Sequence, residues 1–510
     1  MAPRQDADLF ELDWLARWAQ YSGDAVALTD GDSGQSLTYS ALFQRACSGA
    51  VYLQEKFNIK KGDRVVHFST NELSSFILFF ALARLGATLV PINYRLTARE
   101  LIYVINDAQP NLVIFEEQFS EMLQSIKSEL RVLKFEDLKN FEKLSRVVKV
   151  FDAFHSRPDT TALIIYTSGT TGFPKGAMIS HSGLFWNSVN TTLRLNVSQA
   201  DAAVIFLPLF HTGGWNVLST PFFHRGAHVI LTKKFDGDQI LHLSEKYKTT
   251  LLFGVPTTMR MMSQSPLFST VDLTSLRYAI VGGEPMPLEE IRTWEAKKIP
   301  VRQGYGLTEF GPNVFSLNES DSVRKMGSIG FPNFYVQVKV IDEQGQTCVA
   351  KEVGELWLKG PMAMTGYWNN EKATADTFAD GWLKTGDLVY FDNENYFYVV
   401  GRKKDMYKSG GENVYPAEIE KVLLELPWVK EAAVLGVQDP QWGESGHAYV
   451  VPRSEIQFNL SELQQHCAVN LAKFKIPKYF TQMQDLPKGD SGKILKRLIP
   501  QSYAHYPPAN

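Results

Sequence analysis

The strongest constraint on the fold is a recurrence of short apolar runs rich in Val and Ile, separated by longer helical patterns. They are VVHF at 65–68 and then ATLVPI, NLVIF, ALIIY, AVIFL, HVIL, LLFGV and YAIV. Short β-branched runs suit strands buried on both faces, and their alternation with helices predicts parallel-rich sheets covered by helices. Three runs end in Gly or Pro clusters: ALIIY in TSGTTG, AIV in GGEPMP, and PVRQ in GYGLTE. Ligands of open α/β sheets bind at such strand ends, so these clusters are the first candidate site segments.

From about Gly327 the pattern changes to alternating residues and turn signals, VQVKVIDEQGQT followed by GELWLKG. This predicts antiparallel strands and a small barrel. After Gly401, helical patterns near 416–426 and 461–471 flank the strand runs AAVLGV and HAYVV, which predicts a compact α+β domain. The expected class is therefore α/β, with a large N-terminal domain, 1–401, of two parallel-rich sheets plus a small barrel. A small mobile α+β domain, 402–510, follows. A chain of 510 residues with 44% hydrophobic content supports more than one core, because domains split beyond roughly 250–300 residues. The junction GRKKD is charged, which suits a hinge better than a floppy tether.

Composition narrows the partners. A net charge of -3 from 52 basic and 55 acidic residues gives no nucleic-acid footprint. Cys47, Cys348 and Cys467 form no C-x-x-C pair, so neither a disulfide framework nor a zinc site is signalled, and a reducing, cytoplasmic setting is expected. The N-terminal segment MAPRQDADLFELDWLARW mixes charges among its apolar residues, unlike a signal peptide. The most apolar stretch, 76–90, is broken by Arg84 and Gly86. It is shorter than the roughly 20 residues needed to span a bilayer and reads as a buried helix running into a strand. Peripheral membrane contact stays open, as does oligomeric state, with a homodimer among the options.

The segment 166–176, YTSGTTGFPKG, follows a β-branched strand and gathers Thr167, Ser168, Gly169, Thr170, Thr171, Gly172 and Lys175. Glycines let successive backbone N–H groups converge, hydroxyls add donors, and Lys175 adds a mobile positive charge, which together suit a polyphosphate. The string departs from the Walker pattern, having no Gly directly before Lys175 and no Ser or Thr directly after it. A bland turn is the competing reading, and the full string weighs against it.

This string resembles the signature of the adenylate-forming superfamily, which includes acyl-CoA synthetases, adenylation domains of peptide synthetases and beetle luciferases. Further motifs follow in that family's order over about 160–495: GYGLTE at 304–309, GYWN at 366–369, GWLKTGD at 381–387, GRKKDMYKSGGENVYPAEIE at 401–420 and PKGDSGKILKR at 487–497. The resemblance implies ATP, Mg²⁺ and coenzyme A as cosubstrates and cofactor. Taken alone, Tyr305 between Gly304 and Gly306 offers a flat face for a base, and Glu309 a hard oxygen for a cation. Core and solvated surface are equally open readings of those two residues. The resemblance implies that Tyr305 stacks the adenine, Glu309 holds Mg²⁺ and Thr308 lies beside the α-phosphate, with Gly283 and Glu284 also at the nucleotide.

Asp387 can accept both hydroxyls of a ribose, and Arg402 is near enough in sequence to come from the next strand; a structural ion pair between them is the alternative. By resemblance the Asp binds the ribose and the Arg the nucleotide. An isolated exposed lysine is ordinarily just solvated, but the resemblance implies that Lys493 enters beside the substrate carboxylate and α-phosphate. It also implies a rotation about Lys404 that brings Lys408, Ser409, Gly410 and Gly411 toward the pantetheine of coenzyme A.

For the acid, LPLFHTGGW at 207–215 resembles the segment lining the acyl pocket, with His211, Trp215 and Gly283 as contacts. In fatty-acid-activating members a Trp at the place of Trp215 looks like a gate to the chain tunnel; a core Trp is the competing reading. Phe253, Gly254, Val255, Pro256 and the segment 282–285 are expected as further pocket walls. The expectation is a ligase joining a medium- or long-chain fatty acid to coenzyme A. An aryl-acid ligase for a coumarate-like or o-succinylbenzoate-like acid, and a non-catalytic nucleotide-binding scaffold, are the alternatives.

Overall fold

The computed structural model describes residues 12–124, 131–134, 137, 154–167, 174–453, 458–489 and 493–499. The chain forms two compact units, one of Met1–Val338 with Leu358–Leu383, the other of Lys339–Trp357 with Lys384–Asn510. Residue 401 lies inside the second unit. Among the described residues no helix is long and apolar enough to cross a membrane.

The first unit realises the apolar runs as strands. A seven-stranded sheet has the order 366–367, 175–180, 161–167, 88–91, 64–68, 112–115, 132–134. Its inner strands are parallel, while 161–167, 175–180 and 366–367 are antiparallel neighbours. The helix Leu73–Leu85 is buried almost all round and stops at Gly86, whose φ of 71° is the left-handed cap that favours glycine. Strand Thr88–Pro91 follows, as the 76–90 stretch predicts.

The second expected sheet is split into two hydrogen-bonded sets. One runs 36–38, 26–30, 228–231, 202–205 and the other 251–254, 278–281, 301–305, 315–316, 331–332. Where 202 approaches 250, the Thr250 N–H donates to the Ala202 carbonyl at 2.9 Å, but the Ala202 N–H turns to the Thr250 hydroxyl at 3.2 Å. A side-chain oxygen thus takes the place of a ladder acceptor at this join. Strands 251–254, 278–281 and 301–305 are parallel and in register, so their carboxyl ends open side by side.

The strands expected after Gly327 appear as a sheet in which Trp382–Phe391 lies between Gly354–Lys359 and Phe397–Arg402. A separate sheet is ordered 412–414, 407–409, 443–452, 429–439, with 479–482 added parallel to 443–452. Helices Pro416–Leu424 and Leu460–Asn470 cover it through Ile419, Leu423, Leu463 and Cys467. The two helices and the strand runs AAVLGV and HAYVV are therefore where the periodicity places them.

Candidate active site

Strands Thr161–Thr167 and Lys175–Ser180 form a hairpin with Thr167 directly opposite Lys175. The phosphate-loop string therefore bridges two antiparallel strands and does not lead from a strand into a helix, which accounts for its departure from the Walker spacing. Ser168, Gly169, Thr170, Thr171 and Gly172 lie outside the described residues. Gly176 is needed for packing, since a Cβ there would sit 2.7 Å from Ile164 Cγ2 and 3.2 Å from Tyr166 Cζ.

The two flanks of the loop converge on Glu309. Thr167 Oγ1 donates to Glu309 Oε1 at 3.2 Å, Tyr367 Oη donates to the same oxygen at 3.0 Å, and Lys175 Nζ lies 5.2 Å from the centre of the Tyr367 ring. Glu309 is delivered by a tight turn after strand Val301–Tyr305. Only glycine fits at 306 in that turn, because a Cβ would lie 1.9 Å from the Pro312 carbonyl oxygen. A carboxylate held through one oxygen by two hydroxyls keeps capacity for a hard cation. Mg²⁺ is commonly bound by one or two carboxylates with the rest of its shell from waters and substrate phosphates. Glu309 beside a phosphate loop fits that pattern, and among the described residues no cluster of three or more His, Cys, Asp or Glu forms an all-protein cage.

Tyr305 ends its strand half-buried, edge-on to Phe315 with ring centres 5.8 Å apart. Thr308 is half-buried beside it. On the neighbouring strand end, Gly283 has φ of 87° and so favours glycine. Glu284 is exposed, and its carbonyl accepts from Gln303 Nε2 at 3.1 Å. Gly283, Glu284, Gly304, Tyr305, Gly306 and Thr308 thus come from adjacent strand ends, where the Gly and Pro clusters predict a site.

His211 is half-buried with its ring against Phe210 at 4.5 Å. Trp215 is not at a surface: it is 0% exposed, packs on Phe76 at 5.1 Å and Phe79 at 5.3 Å, and donates its indole N–H to the Leu209 carbonyl. This burial and packing are those the core reading expects. Nearby, a Cβ at Gly213 would sit 3.6 Å from Phe253 Cε1, and one at Gly282 would sit 3.5 Å from Phe253 Cε2. Those are ordinary contacts, and neither glycine has a positive φ. Neither packing nor backbone demands glycine there, so each edge of the half-buried Phe253 ring faces a glycine where a larger side chain would fit the backbone.

In the second unit Asp387 and Arg402 are direct partners across two strands, with Arg402 Nε 2.7 Å from Asp387 Oδ1. The ion pair is formed, and it sets a carboxylate and a guanidinium side by side. Lys404 is exposed in the turn that follows, where Asp405 N–H and Met406 N–H both donate to the Arg402 carbonyl. Gly410 and Gly411, with φ of 60° and 89°, form the two-residue turn between Ser409 and Glu412. Such a turn with positive φ at both positions favours Asn-Gly, Asp-Gly or Gly-Gly by itself. Ser409 is buried, and Lys408 Nζ pairs with Glu343 Oε2 at 3.2 Å. Lys493 is exposed, its carbonyl accepting from Gly489 N–H at 2.8 Å.

The family model described as AMP-binding enzyme matches residues 15–368, and that for the AMP-binding enzyme C-terminal domain matches 418–493. The chain belongs to the AMP-binding enzyme family. This is the adenylate-forming group to which the motifs point. A feruloyl-CoA synthase from an Amycolatopsis species is 36% identical over 494 residues, covering 95% of this chain and 97% of its own. A long-chain-fatty-acid–CoA ligase from Mycobacterium tuberculosis is 34% identical over 499 residues, covering 96% and 98%. Among solved structures, the o-succinylbenzoate CoA synthetase of Bacillus subtilis in complex with its acyl-adenylate intermediate superposes with a TM-score of 0.87 at 31% identity, covering 97% of this chain and 99% of that one. The same Bacillus enzyme in complex with ATP and magnesium ion gives 0.86 at 32% identity, covering 95% and 98%.

Asp107, Arg64 and Trp442 of this AMP-binding enzyme escape motif reasoning, while their neighbours Tyr166 and Trp368 stand within the motifs. Tyr166 Oη donates to Asp107 Oδ2 at 2.6 Å, and Trp368 Nε1 donates to the Asp107 carbonyl at 2.9 Å. Arg64 stacks over Trp368 at 4.9 Å. Burial raises the Asp107 carboxyl pKa against the lowering effect of the Tyr166 hydrogen bond, and burial with the Asp107 contact raises that of Tyr166. This cluster ties the strand entering the phosphate loop to the end of helix Ala98–Ala108, and nothing in the sequence around Asp107 signals it. In the second unit the exposed indole of Trp442 lies 3.1 Å from where a Gly410 Cβ would be. That flat face beside the Gly410–Gly411 turn has no counterpart among the motif residues.

Proposed function

We propose that this AMP-binding enzyme is an AMP-forming acid–CoA ligase whose acid is a compact aromatic carboxylate. The observation that carries the choice of acid is Trp215 sealed into the core, with the half-buried Phe253 ring flanked by two glycines, Gly213 and Gly282, that carry no side chain. A planar ring suits an aromatic edge flanked only by glycines, whereas a long acyl chain needs a tunnel that a fully packed Trp215 does not open. The feruloyl and o-succinylbenzoate relatives support the same reading. The fatty acid favoured by the apolar pocket walls therefore gives way to the aryl alternative.

A carboxylate is a poor acyl donor because its leaving group would be oxide. Attack of a carboxylate oxygen on the α-phosphorus of ATP forms the P–O bond as the bond to pyrophosphate breaks. The thiol of coenzyme A then displaces AMP from the acyl carbon. Both partners of the first step are anions, so positioning and charge neutralisation should provide most of the acceleration. Mg²⁺, when bound at Glu309, supplies Lewis-acid neutralisation of the phosphates. Lys175 holds the outer phosphates, Tyr305 the base, and Asp387 with Arg402 the ribose side of the nucleotide. Lys493 serves the first step and the segment Lys408 to Gly411 the second, exchanged by movement of a mobile domain, 402–510, about Lys404.

Pyrophosphate release with ATP, Mg²⁺ and a panel of ferulate, coumarate, o-succinylbenzoate, octanoate and palmitate tests the reading. An aromatic acid should exceed octanoate in kcat/KM by about tenfold or more, a difference of about 1.4 kcal/mol in transition-state binding. A preference for octanoate or palmitate restores the fatty-acid reading. No release with any acid supports the scaffold.

A further inference from the structure

We propose that Tyr367 is a positioning residue that keeps the carboxylate and the ammonium of the phosphate site apart, its hydroxyl holding Glu309 and its ring face holding Lys175. The proposal rests on the AMP-forming reading only in taking ATP as the phosphate ligand. Glu309 and Lys175 carry opposite charges and converge on one side chain, with Tyr367 Oη 3.0 Å from Glu309 Oε1 and Lys175 Nζ 5.2 Å from the ring centre. Left to themselves, such groups gain by pairing with each other. The carboxylate would then no longer face a cation, nor the ammonium a phosphate. Among the described residues Lys175 makes no ion pair within 4.0 Å. A phenol can take both charges at once, donating through oxygen and receiving a cation on its face.

The backbone holds the ring in place. Tyr367 lies opposite Ala177 in the sheet, its N–H donates to Thr374 Oγ1 at 2.9 Å, and the next residue, Trp368, donates its N–H to the Gly176 carbonyl at 2.8 Å. Gly366 has φ of 150°, and a Cβ there would meet Thr374 Cγ2 at 2.9 Å. In GYWN the glycine thus permits close approach, the tyrosine separates the charges and the tryptophan anchors the strand.

The test is ATP binding by calorimetry, with Mg²⁺ and with EDTA, for wild type, Tyr367→Phe and Tyr367→Leu, with melting curves as the check on folding. Tyr367→Phe keeps the ring and loses the donor. It should lose about tenfold of the affinity gained from Mg²⁺, as for a hydrogen bond to a charged group, while metal-free ATP affinity stays within about twofold. Tyr367→Leu should lose the same metal gain and also about threefold or more of metal-free affinity, as the ammonium loses its ring. In a Glu309→Gln background, Tyr367→Phe should have no further effect on the metal gain. An unchanged Mg²⁺ gain in Tyr367→Phe, identical behaviour of the Phe and Leu variants, or losses that only track a lower Tm, would overturn the proposal. Absence of ATP binding by the wild type would overturn both this proposal and the ligase reading. ATP binding without pyrophosphate release from any acid would overturn the ligase reading alone.

Discussion

Replacing Trp215 by Ala separates a tunnel gate from a core residue. The indole is 0% exposed, wedged against Phe76 and Phe79 of the buried helix Leu73–Leu85, and its N–H is spent on the Leu209 carbonyl. Truncating a fully buried Trp costs about 3–5 kcal/mol in lost transfer energy and cavity. The orphaned Leu209 carbonyl places the expected value in the upper half of that range. A unit of roughly 360 residues has an unfolding entropy of about 0.75 kcal/mol per kelvin, so Tm should fall by about 5–7 °C. The assay is scanning calorimetry together with the acid panel. Core packing predicts the drop in Tm with the ranking of acids kept. A gate predicts the reverse, with Tm within a degree of wild type and octanoate or palmitate rising against ferulate. That second outcome would refute the argument from burial and return the fatty-acid assignment.

Lys493→Ala should abolish adenylate formation, read as pyrophosphate release, yet leave thioester formation from supplied acyl-adenylate and coenzyme A largely intact; equal loss of both steps contradicts the division of labour. Lys404→Pro should slow the thioester step more than adenylation, and an unchanged thioester rate removes Lys404 as the hinge. Burial holds the imidazoles of His67 and His181 down at about 4, with Glu116 opposing the shift at His67. As pH falls below about 6.5 the unfolded chain takes up protons that the folded chain refuses, so stability is lost between about 6.5 and 4, by up to about 3 kcal/mol per imidazole. The urea midpoint should fall across that window and His181→Phe should flatten the slope; a midpoint that rises on acidification contradicts the sign.

The parts of this molecule that were legible in its sequence are those whose cause is local. ALIIY and YAIV are strands because short β-branched runs bury both faces, and the helix at 73–85 stops where Gly86 allows a left-handed cap. Thr167, Lys175 and Glu309 were found because family motifs mark them, and the hairpin register brings them to one place. What was not legible depends on partners far along the chain. Trp215 is core because Phe76 and Phe79 pack on it, a fact absent from LPLFHTGGW. The Gly410–Gly411 pair invited a functional reading, yet two positive φ values in a two-residue turn already favour Gly-Gly alongside Asn-Gly and Asp-Gly. Tyr367 shows the converse, since GYWN was visible as a string and silent as to role until its hydroxyl met Glu309 and its face met Lys175. Where backbone geometry already explains a residue, its identity says little about chemistry. Gly213 and Gly282 are informative for the opposite reason, because neither φ nor packing requires glycine and each lies at an edge of the one aromatic ring of Phe253.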